Sequence, residues 1–236
     1  MNLILLFADD FIDAAGRVRL RGRRLEHLRS VHRAEVGTTL RVGLLNGQLG
    51  TGCVTSLSAD TVEMDVTLDQ PPPAAPPVTL LLALPRPKAL KRVLQAVTAM
   101  GVKQVVLINA WRVEKSFWES PVLAPQAVRE QLILGLEQAR DTVLPEVLLR
   151  PRFKPFVEDE LPALSRGTRM LVAHPEAASP CPRDVRQPVT LAVGPEGGFI
   201  AYEVELLQVQ GFEAVSLGAR VLRVEQAVPA LLARLF

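Results

Sequence analysis

A proline-rich run, Pro71-Pro72-Pro73-Ala74-Ala75-Pro76-Pro77, divides the chain. Proline lacks a backbone N–H and fixes φ, so this run can form neither the interior of a helix nor a central strand. It predicts a short, stiff linker of the polyproline type. The apolar pattern also differs on its two sides. We therefore predict two domains, residues 1–70 and 78–236, joined by a linker at residues 71–77.

Residues before the linker have the pattern of short β-strands. Residues 38–45 alternate between apolar and polar side chains, and the Asn46-Gly47 pair that follows is a strong hairpin signal. Three further strands are expected at residues 1–7, 52–57 and 61–68. One short helix is expected at residues 25–32. Several short strands in so few residues predict a small barrel or sandwich.

After the linker, apolar runs typical of buried strands alternate with segments of helical periodicity. The expected strands are residues 78–84, 105–108, 169–173, 189–193 and 214–217. The expected helices are residues 89–100, 125–140, 202–210 and 224–235. This alternation predicts a mostly parallel sheet with helices on both faces, and Pro229 should kink the last helix or make its first turn irregular.

Composition narrows the class of protein. The chain has 236 residues, 48% of them hydrophobic, with a net charge of +2, which is typical of a globular protein. It has no apolar run of the roughly 18 residues that a membrane helix needs. Cys53 and Cys181 lie far apart, so we expect no disulfide and a cytoplasmic location. The histidines are scattered, so we expect no metal site.

Three predicted strands end in loops of unusual sequence. Residues 189–193 run into Gly194-Pro195-Glu196-Gly197-Gly198-Phe199, and the neighbouring loops contain His174-Pro175-Glu176 and Gly218-Ala219-Arg220. Ligands of open α/β sheets bind beyond the carboxyl ends of the strands, and glycine allows the backbone to approach a ligand closely. The chain lacks a phosphate-binding loop and a dinucleotide fingerprint, so an ordinary NTPase or dehydrogenase is disfavoured.

The Gly194–Phe199 loop, together with Leu217–Glu225, resembles the ribosomal RNA small subunit methyltransferase E family of the SPOUT class. Weaker matches occur at Leu84–Val102, at Glu137-Gln138 and in the segment from His27 to Arg33. The resemblance therefore covers nearly the whole chain. That family methylates N3 of a uridine in small-subunit ribosomal RNA, with S-adenosylmethionine as methyl donor.

The resemblance implies an α/β fold of two parts. The C-terminal part would be a SPOUT-type α/β domain with a trefoil knot, and the N-terminal part a small PUA-like β-barrel that binds RNA. It also implies a homodimer formed through the C-terminal domain, with the small ribosomal subunit as partner.

The resemblance also implies roles for individual residues. The expected catalytic residues are Arg223 and Glu196, with Glu225 a further candidate carboxylate. Glu196 and Glu225 each lie at or just before a predicted helix start, so either could instead cap a helix. The expected RNA-binding residues are Arg33, Arg24 and Arg220. The residues expected to hold S-adenosylmethionine are His174, Pro175, Val193, Gly194, Glu196, Gly197, Gly198, Leu217, Gly218, Val221 and Leu222.

Arginines between Arg17 and Arg33 also form a dense cluster that could neutralise RNA phosphates or could be an ordinary solvated face.

The chain departs from the family pattern at Ala96, Ala99 and Asp141. Two alternatives therefore stay open beside the uridine-N3 methyltransferase. One is an RNA-binding protein that keeps the cofactor fold with weak or no turnover. The other is a SPOUT methyltransferase that acts at a different RNA position.

Overall fold

The computed structural model describes residues 2–236, and its contacts divide the chain into two compact units. Unit 1 comprises the chain up to Ala74 together with Ile133–Leu144, and unit 2 comprises Ala75–Leu132 and Pro145–Phe236. The predicted division at residues 71–77 omits the return of Ile133–Leu144 to unit 1. None of the described helices is long and apolar enough to cross a membrane.

Unit 1 contains a five-stranded sheet in the order β1-β3-β4-β5-β2, in which β1 pairs with β3 in parallel and the other pairs are antiparallel. A short 3₁₀ turn at Ala8–Asp10 follows β1, and helix α1 spans Gly22–Ser30. The five strands are β1 Ile4–Leu6, β2 Arg17–Leu20, β3 Thr39–Leu44, β4 Leu49–Leu57 and β5 Val62–Gln70.

The predicted hairpin of unit 1 is confirmed. Strands β3 and β4 are antiparallel, and Asn46 has a φ of 58° in the turn between them. Strand β2 was not predicted, although its exposed Arg17 and Arg19 alternate with the buried Val18 and Leu20. Four residues are too few for a clear alternation, and two of them are arginines that were assigned to the basic cluster.

The core of unit 1 has two parts. Inward-facing side chains of the sheet, such as Val18, Val42 and Met64, form the larger cluster together with Leu28 of α1. The smaller cluster contains Leu3, Leu5, Ile133 and Leu136. Ile133–Leu144 therefore belongs to unit 1 because it buries apolar side chains against β1.

Unit 2 contains a seven-stranded sheet in the order β10-β12-β9-β11-β6-β7-β8, and every pair in it is parallel. The predicted α/β fold with a parallel sheet is confirmed, whereas the barrel and the knot stay predictions. The strands are β6 Val78–Ala83, β7 Gln104–Ile108, β8 Glu146–Arg150, β9 Arg169–Ala173, β10 Ser179–Pro180, β11 Val189–Val193 and β12 Glu213–Ser216.

The helices of the rest of the chain connect these strands. A 3₁₀ turn at Pro121–Leu123 precedes α4, and a π-helical turn at Phe156–Glu160 separates α5 from α6. The helices are α2 Pro87–Ala99, α3 Lys115–Trp118, α4 Pro125–Ala139, α5 Phe153–Pro155, α6 Leu161–Leu164, α7 Ala201–Val209 and α8 Val224–Leu235. Pro229 lies inside α8 without ending it.

Candidate functional site

The three unusual loops line one cavity in unit 2. They follow β9, β11 and β12, which are neighbours in the parallel sheet, so their carboxyl ends lie side by side. Leu231 of α8 also lines the cavity. Every residue expected to hold the methyl donor lies in this lining: His174, Pro175, Val193, Gly194, Glu196, Gly197, Gly198, Leu217, Gly218, Val221 and Leu222.

The first loop turns so tightly that two of its glycines are required. A Cβ on Gly194 would lie 2.8 Å from the backbone nitrogen of Phe199, so no side chain fits there without moving the backbone. Gly198 has a φ of +72°, which favours glycine, and its N–H donates a 2.8 Å hydrogen bond to the Pro195 carbonyl. The buried Phe199 anchors the end of the loop.

Glu196 lines the cavity and also anchors the loop. Its Oε1 accepts a 3.0 Å hydrogen bond from the backbone N–H of Arg86, the residue that caps the start of α2. The carboxylate therefore satisfies a donor next to a helix N-terminus, where a negative charge is favourable. This contact supports the capping alternative, and it leaves Glu196 exposed at the cavity rim.

Sequence reasoning missed Arg112, which follows the carboxyl end of β7. One guanidinium nitrogen of Arg112 donates to the carbonyl of Gly197. A Cβ on Gly197 would lie 2.9 Å from Cδ of Arg112, so the aliphatic part of this side chain packs directly on the loop. Its position directly after a predicted parallel strand was the available signal.

Glu203 is a second residue that the sequence analysis missed. Its side chain is buried, and its two carboxylate oxygens accept hydrogen bonds from different segments. Oε1 accepts from the Trp111 N–H at 2.7 Å, and Oε2 accepts from the Ile200 N–H at 3.0 Å. A glutamate three residues after a helix start commonly makes the second of these contacts, so only the bond to Trp111 was unpredictable.

The loop after β12 contributes exposed side chains to the cavity region. Gly218 has a φ of +112°, and Arg220 lines the cavity with an exposed side chain. Arg223 is exposed and caps α8, where its carbonyl accepts from Gln226 and Ala227. Among the described lining residues of the cavity, Arg223 is absent.

Two further side chains near this cavity have structural contacts. Glu225, in the first turn of α8, lies 3.8 Å from a guanidinium nitrogen of Arg92 in α2, which favours its structural interpretation. Nδ1 of His174 accepts from the N–H of Glu176 at 3.3 Å. His174 therefore also stabilises the turn after β9.

Cys181 lies close to α8, whose Arg234 donates to the Cys181 carbonyl at 2.6 Å. Burial raises the pKa of its thiol, and the nearby Arg234 and Arg169 only partly oppose this effect. A raised pKa keeps the thiol protonated near neutral pH, so Cys181 is not a thiolate nucleophile.

Most of the arginine cluster of unit 1 is already neutralised within the unit. Arg17 pairs with Asp65 at 3.3 Å, Arg19 with Glu63 at 2.7 Å, and Arg23 with Glu137 at 2.9 Å. The cluster is therefore not a continuous unpaired surface for phosphates.

Arg24, an expected RNA-binding residue, makes several contacts within unit 1. Its guanidinium forms a two-pronged ion pair with Asp10, with one contact of 2.6 Å, and donates to the Leu5 carbonyl at 3.0 Å. It also lies 4.8 Å from the centre of the Phe7 ring. The role of Arg24 in RNA binding stays a prediction, and these largely buried contacts weigh against it, because Arg24 would have to give them up to reach RNA. Arg33, by contrast, is exposed.

Comparisons with known proteins give a consistent result. The family model described as RNA methyltransferase domain matches residues 72–236. Ribosomal RNA small subunit methyltransferase E of Treponema pallidum is 27% identical, over 96% of this chain and 87% of that protein. The protein of the same name from Synechocystis is 29% identical, over 92% of this chain and 72% of that protein.

Two solved structures share the fold. Ribosomal RNA small subunit methyltransferase E from Neisseria gonorrhoeae, bound to S-adenosyl methionine, superposes with a TM-score of 0.74 at 24% identity, covering 99% of this chain and 95% of that chain. A methyltransferase from Legionella pneumophila in complex with SAM also has a TM-score of 0.74, at 22% identity over 99% of this chain and 96% of that chain. At these identities the similarity establishes the fold of this chain.

Proposed function

Because this chain belongs to the RNA methyltransferase domain family, we propose that it transfers a methyl group from S-adenosylmethionine to N3 of a uridine in small-subunit ribosomal RNA. The observation that carries the proposal is the cavity formed by the loops after β9, β11 and β12. The relatives named ribosomal RNA small subunit methyltransferase E support the choice of RNA.

The residues of the cavity fit S-adenosylmethionine. Gly194, Gly197 and Gly198 line the cavity with backbone rather than side chains. The Gly198 N–H and the Gly197 carbonyl are engaged by Pro195 and Arg112, so other backbone groups of the loop would meet the polar edge of an adenine. Leu217, Val221 and Leu231 offer an apolar surface. When bound, the sulfonium supplies an already activated methyl group. The protein must then align donor and acceptor, and positioning alone can contribute about 7–11 kcal/mol in favourable cases.

The residues proposed for chemistry are Arg223 and Glu196. Loss of the uridine N3 proton leaves negative charge on the base, and a guanidinium can pair with the oxygen that carries it. Arg223 is exposed at the start of α8, next to the cavity-lining Leu222, which supports this role. Glu196 is the proposed proton acceptor, although its Oε1 is engaged by Arg86.

For RNA contacts we keep Arg220 and Arg33. Arg220 is exposed at the cavity, so it can reach an RNA phosphate beside the reacting base. Arg33 is exposed on unit 1, but its φ of 49° is unusual for a residue other than glycine. A test of its charge should use asparagine, which tolerates this backbone conformation better than most residues.

The remaining parts of the proposal concern architecture. We propose that the loops of the cavity form a trefoil knot, that unit 1 is a PUA-like barrel, and that two chains associate through unit 2. Val221 is 82% exposed and Phe236 is 41% exposed in the isolated chain. Val221 lies three residues before α8 and Phe236 directly follows it, and burying these apolar side chains would favour association of two chains.

A protein that binds RNA without turnover is the second candidate, suggested by the departures from the family pattern at Ala96, Ala99 and Asp141. Ala99 ends α2, whose start is held by Glu196, and a helix of 13 residues is about 20 Å long. Asp141 is buried in unit 1, where its Oδ1 accepts from the Val143 N–H at 3.0 Å. None of the three departures is among the described residues that line the cavity, so they bear on the RNA target and on turnover rather than on the donor site.

The target can be tested in a strain that lacks the gene for this chain. Mass mapping of its small-subunit ribosomal RNA should show one uridine without its base methyl group. Expression of the wild-type chain should restore the methyl group, and an Arg223→Ala variant should restore it poorly. A uridine that stays methylated in the deletion strain would reject this target, provided that the genome encodes no second copy.

A further inference from the structure

We propose that the indole of Trp111 stacks on a nucleobase of the RNA substrate. The exposed arginines around it would bind the neighbouring phosphates. The inference rests on the proposed function, because it concerns the acceptor at the same site.

The exposure of Trp111 is the first observation. Its side chain is 79% exposed, although burying an indole is among the most favourable contributions to a fold. The other tryptophan, Trp118, is half-buried and donates from Nε1 to Oδ1 of Asn109 at 3.0 Å. The fold therefore uses one of its two tryptophans in packing and presents the other to solvent.

The backbone that carries Trp111 is held on both sides. Its own N–H donates to the buried carboxylate of Glu203 at 2.7 Å. The guanidinium of the next residue, Arg112, donates to the Gly197 carbonyl, and the N–H of the buried Val113 donates to the Ala110 carbonyl at 3.0 Å. An aromatic ring on a fixed backbone loses little conformational entropy when a ligand stacks on it.

The position of Trp111 suits the acceptor rather than the donor. It follows β7, which is separated from β11 only by β6, so the two strand ends are about 10 Å apart at the usual spacing of about 4.8 Å per strand. Both face the same edge of the sheet because every strand is parallel. Among the described residues that line the cavity, Trp111 is not included, whereas Gly197, the partner of Arg112, is.

Charge at this edge favours RNA as the occupant. The segments that follow β6, β7 and β8 each carry an exposed arginine, and these are Arg86, Arg112 and Arg152. Exposed acids also lie at this edge: Glu114 follows Arg112 in sequence, and Glu196 accepts a 3.0 Å hydrogen bond from the Arg86 N–H. Phosphates are attracted by such arginines, and unpaired bases of RNA are commonly stacked on aromatic side chains.

The test compares Trp111→Ala with Val209→Ala. Val209 is also 79% exposed in unit 2, but it ends α7, and it is not among the described residues that line the cavity. Trp111→Ala should weaken binding of transcribed small-subunit ribosomal RNA by roughly 5- to 150-fold, the range expected for one stacked base. Val209→Ala should bind as the wild type does, and Trp111→Phe should keep most of the affinity. Affinity for S-adenosylmethionine should be unchanged in all three.

A second readout uses intrinsic fluorescence. A short oligouridylate should quench the emission of the wild type, and the quenching should be absent in Trp111→Phe, which retains Trp118. Unchanged RNA affinity in Trp111→Ala would overturn the inference, as would equal quenching of the wild type and Trp111→Phe. Quenching of the wild type by added ribosomal proteins but not by the oligouridylate would overturn it as well. If the wild type binds RNA through Trp111 but methylates no small-subunit RNA, the proposed function fails and the inference stands.

Discussion

At the scale of single residues, the cavity depends on positions where a side chain is absent. Gly194 has backbone atoms of the same loop within 3.2 Å of where its Cβ would lie. Gly198 has open space there but a left-handed backbone. Glycine is thus favoured at the two positions for different reasons: lack of space for a Cβ at Gly194 and a left-handed backbone at Gly198. Substitutions at the two positions therefore test these two effects separately.

Gly194→Ala should therefore reduce affinity for S-adenosylmethionine at least tenfold, because the backbone of the loop must move to make room for the alanine side chain. Gly198→Ala is the matched control, since its added Cβ meets nothing within 4 Å. It should cost about 1 kcal/mol of stability through strain and affect binding less. Equilibrium dialysis with labelled S-adenosylmethionine measures both affinities. Wild-type affinity in Gly194→Ala would show that the loop does not shape the donor site.

A second residue-scale prediction concerns Arg24. Because its ion pair with Asp10 is largely buried, Arg24→Ala should lower the free energy of unfolding by about 3–5 kcal/mol. Arg17→Ala removes an exposed pair, with side chains 48% and 58% exposed, and should cost at most about 1 kcal/mol. Urea unfolding measures both. A cost for Arg24→Ala as small as that for Arg17→Ala would restore Arg24 as a candidate RNA contact.

Individual residues were predictable from sequence where they belong to a local motif. The glycines of Gly194–Phe199 are such a case, because the conformation of a tight loop depends mainly on residues that are consecutive in sequence. The contact of Arg112 with Gly197 and that of Glu203 with Trp111 were not predictable, because each joins segments about ninety positions apart. A single sequence carries no record of such pairs.

At the scale of elements, the site depends on how the segments after β7 and β11 are joined. Glu203, in the first turn of α7, accepts one hydrogen bond from each segment. A buried N–H that loses its acceptor keeps the full cost of its desolvation. The carboxylate therefore fixes the segment that carries Trp111 and Arg112.

Glu203→Gln should lower the free energy of unfolding by about 1–3 kcal/mol, because an amide has one oxygen to offer two N–H donors. It should also weaken RNA binding by releasing Trp111. Glu205→Gln changes an exposed carboxylate on the same helix and should alter stability by no more than about 0.5 kcal/mol. Urea unfolding and RNA titration of both variants provide the measurements. Equal free energies of unfolding for Glu203→Gln and Glu205→Gln would argue that Glu203 does not join the segments after β7 and β11.

Elements with strong periodicity were predicted well, and weak ones were missed. Strands β9 and β11 and helix α8 begin and end where the sequence analysis placed them. Strand β8 lies at the sheet edge and is only partly buried, so it lacks the continuous apolar run of a central strand. Strand β10 has two residues, too few for any period to be visible.

At the scale of the whole molecule, the chain does not divide at the proline-rich run alone. Ile133–Leu144 returns to unit 1, and Glu137 within it is 2% exposed. Both guanidinium contacts of Arg23 with this carboxylate are 2.9 Å long, and the Glu137 carbonyl accepts from Asn2 and Leu3. A linker composition predicted where unit 1 ends but could not reveal that a later segment completes it.

A fragment of residues 75–236 should consequently fold poorly. Ile133 and Leu136 would lose Leu3 and Leu5 as packing partners, and Glu137 would lose Arg23. We expect the fragment to aggregate or to unfold without cooperativity, whereas the full chain unfolds cooperatively. Size-exclusion chromatography and calorimetric melting compare the two. A monodisperse fragment with a sharp melting transition would show that the returning segment does not need unit 1.

The most direct test is calorimetric titration of the full-length chain with S-adenosylmethionine, since the cavity of unit 2 identifies the donor more firmly than the acceptor. We expect saturable binding at one site per chain, with a dissociation constant on the order of micromolar, about −8 kcal/mol. Absence of binding at high micromolar concentrations, in protein that circular dichroism shows to be folded, would contradict both the donor site and the methyltransferase.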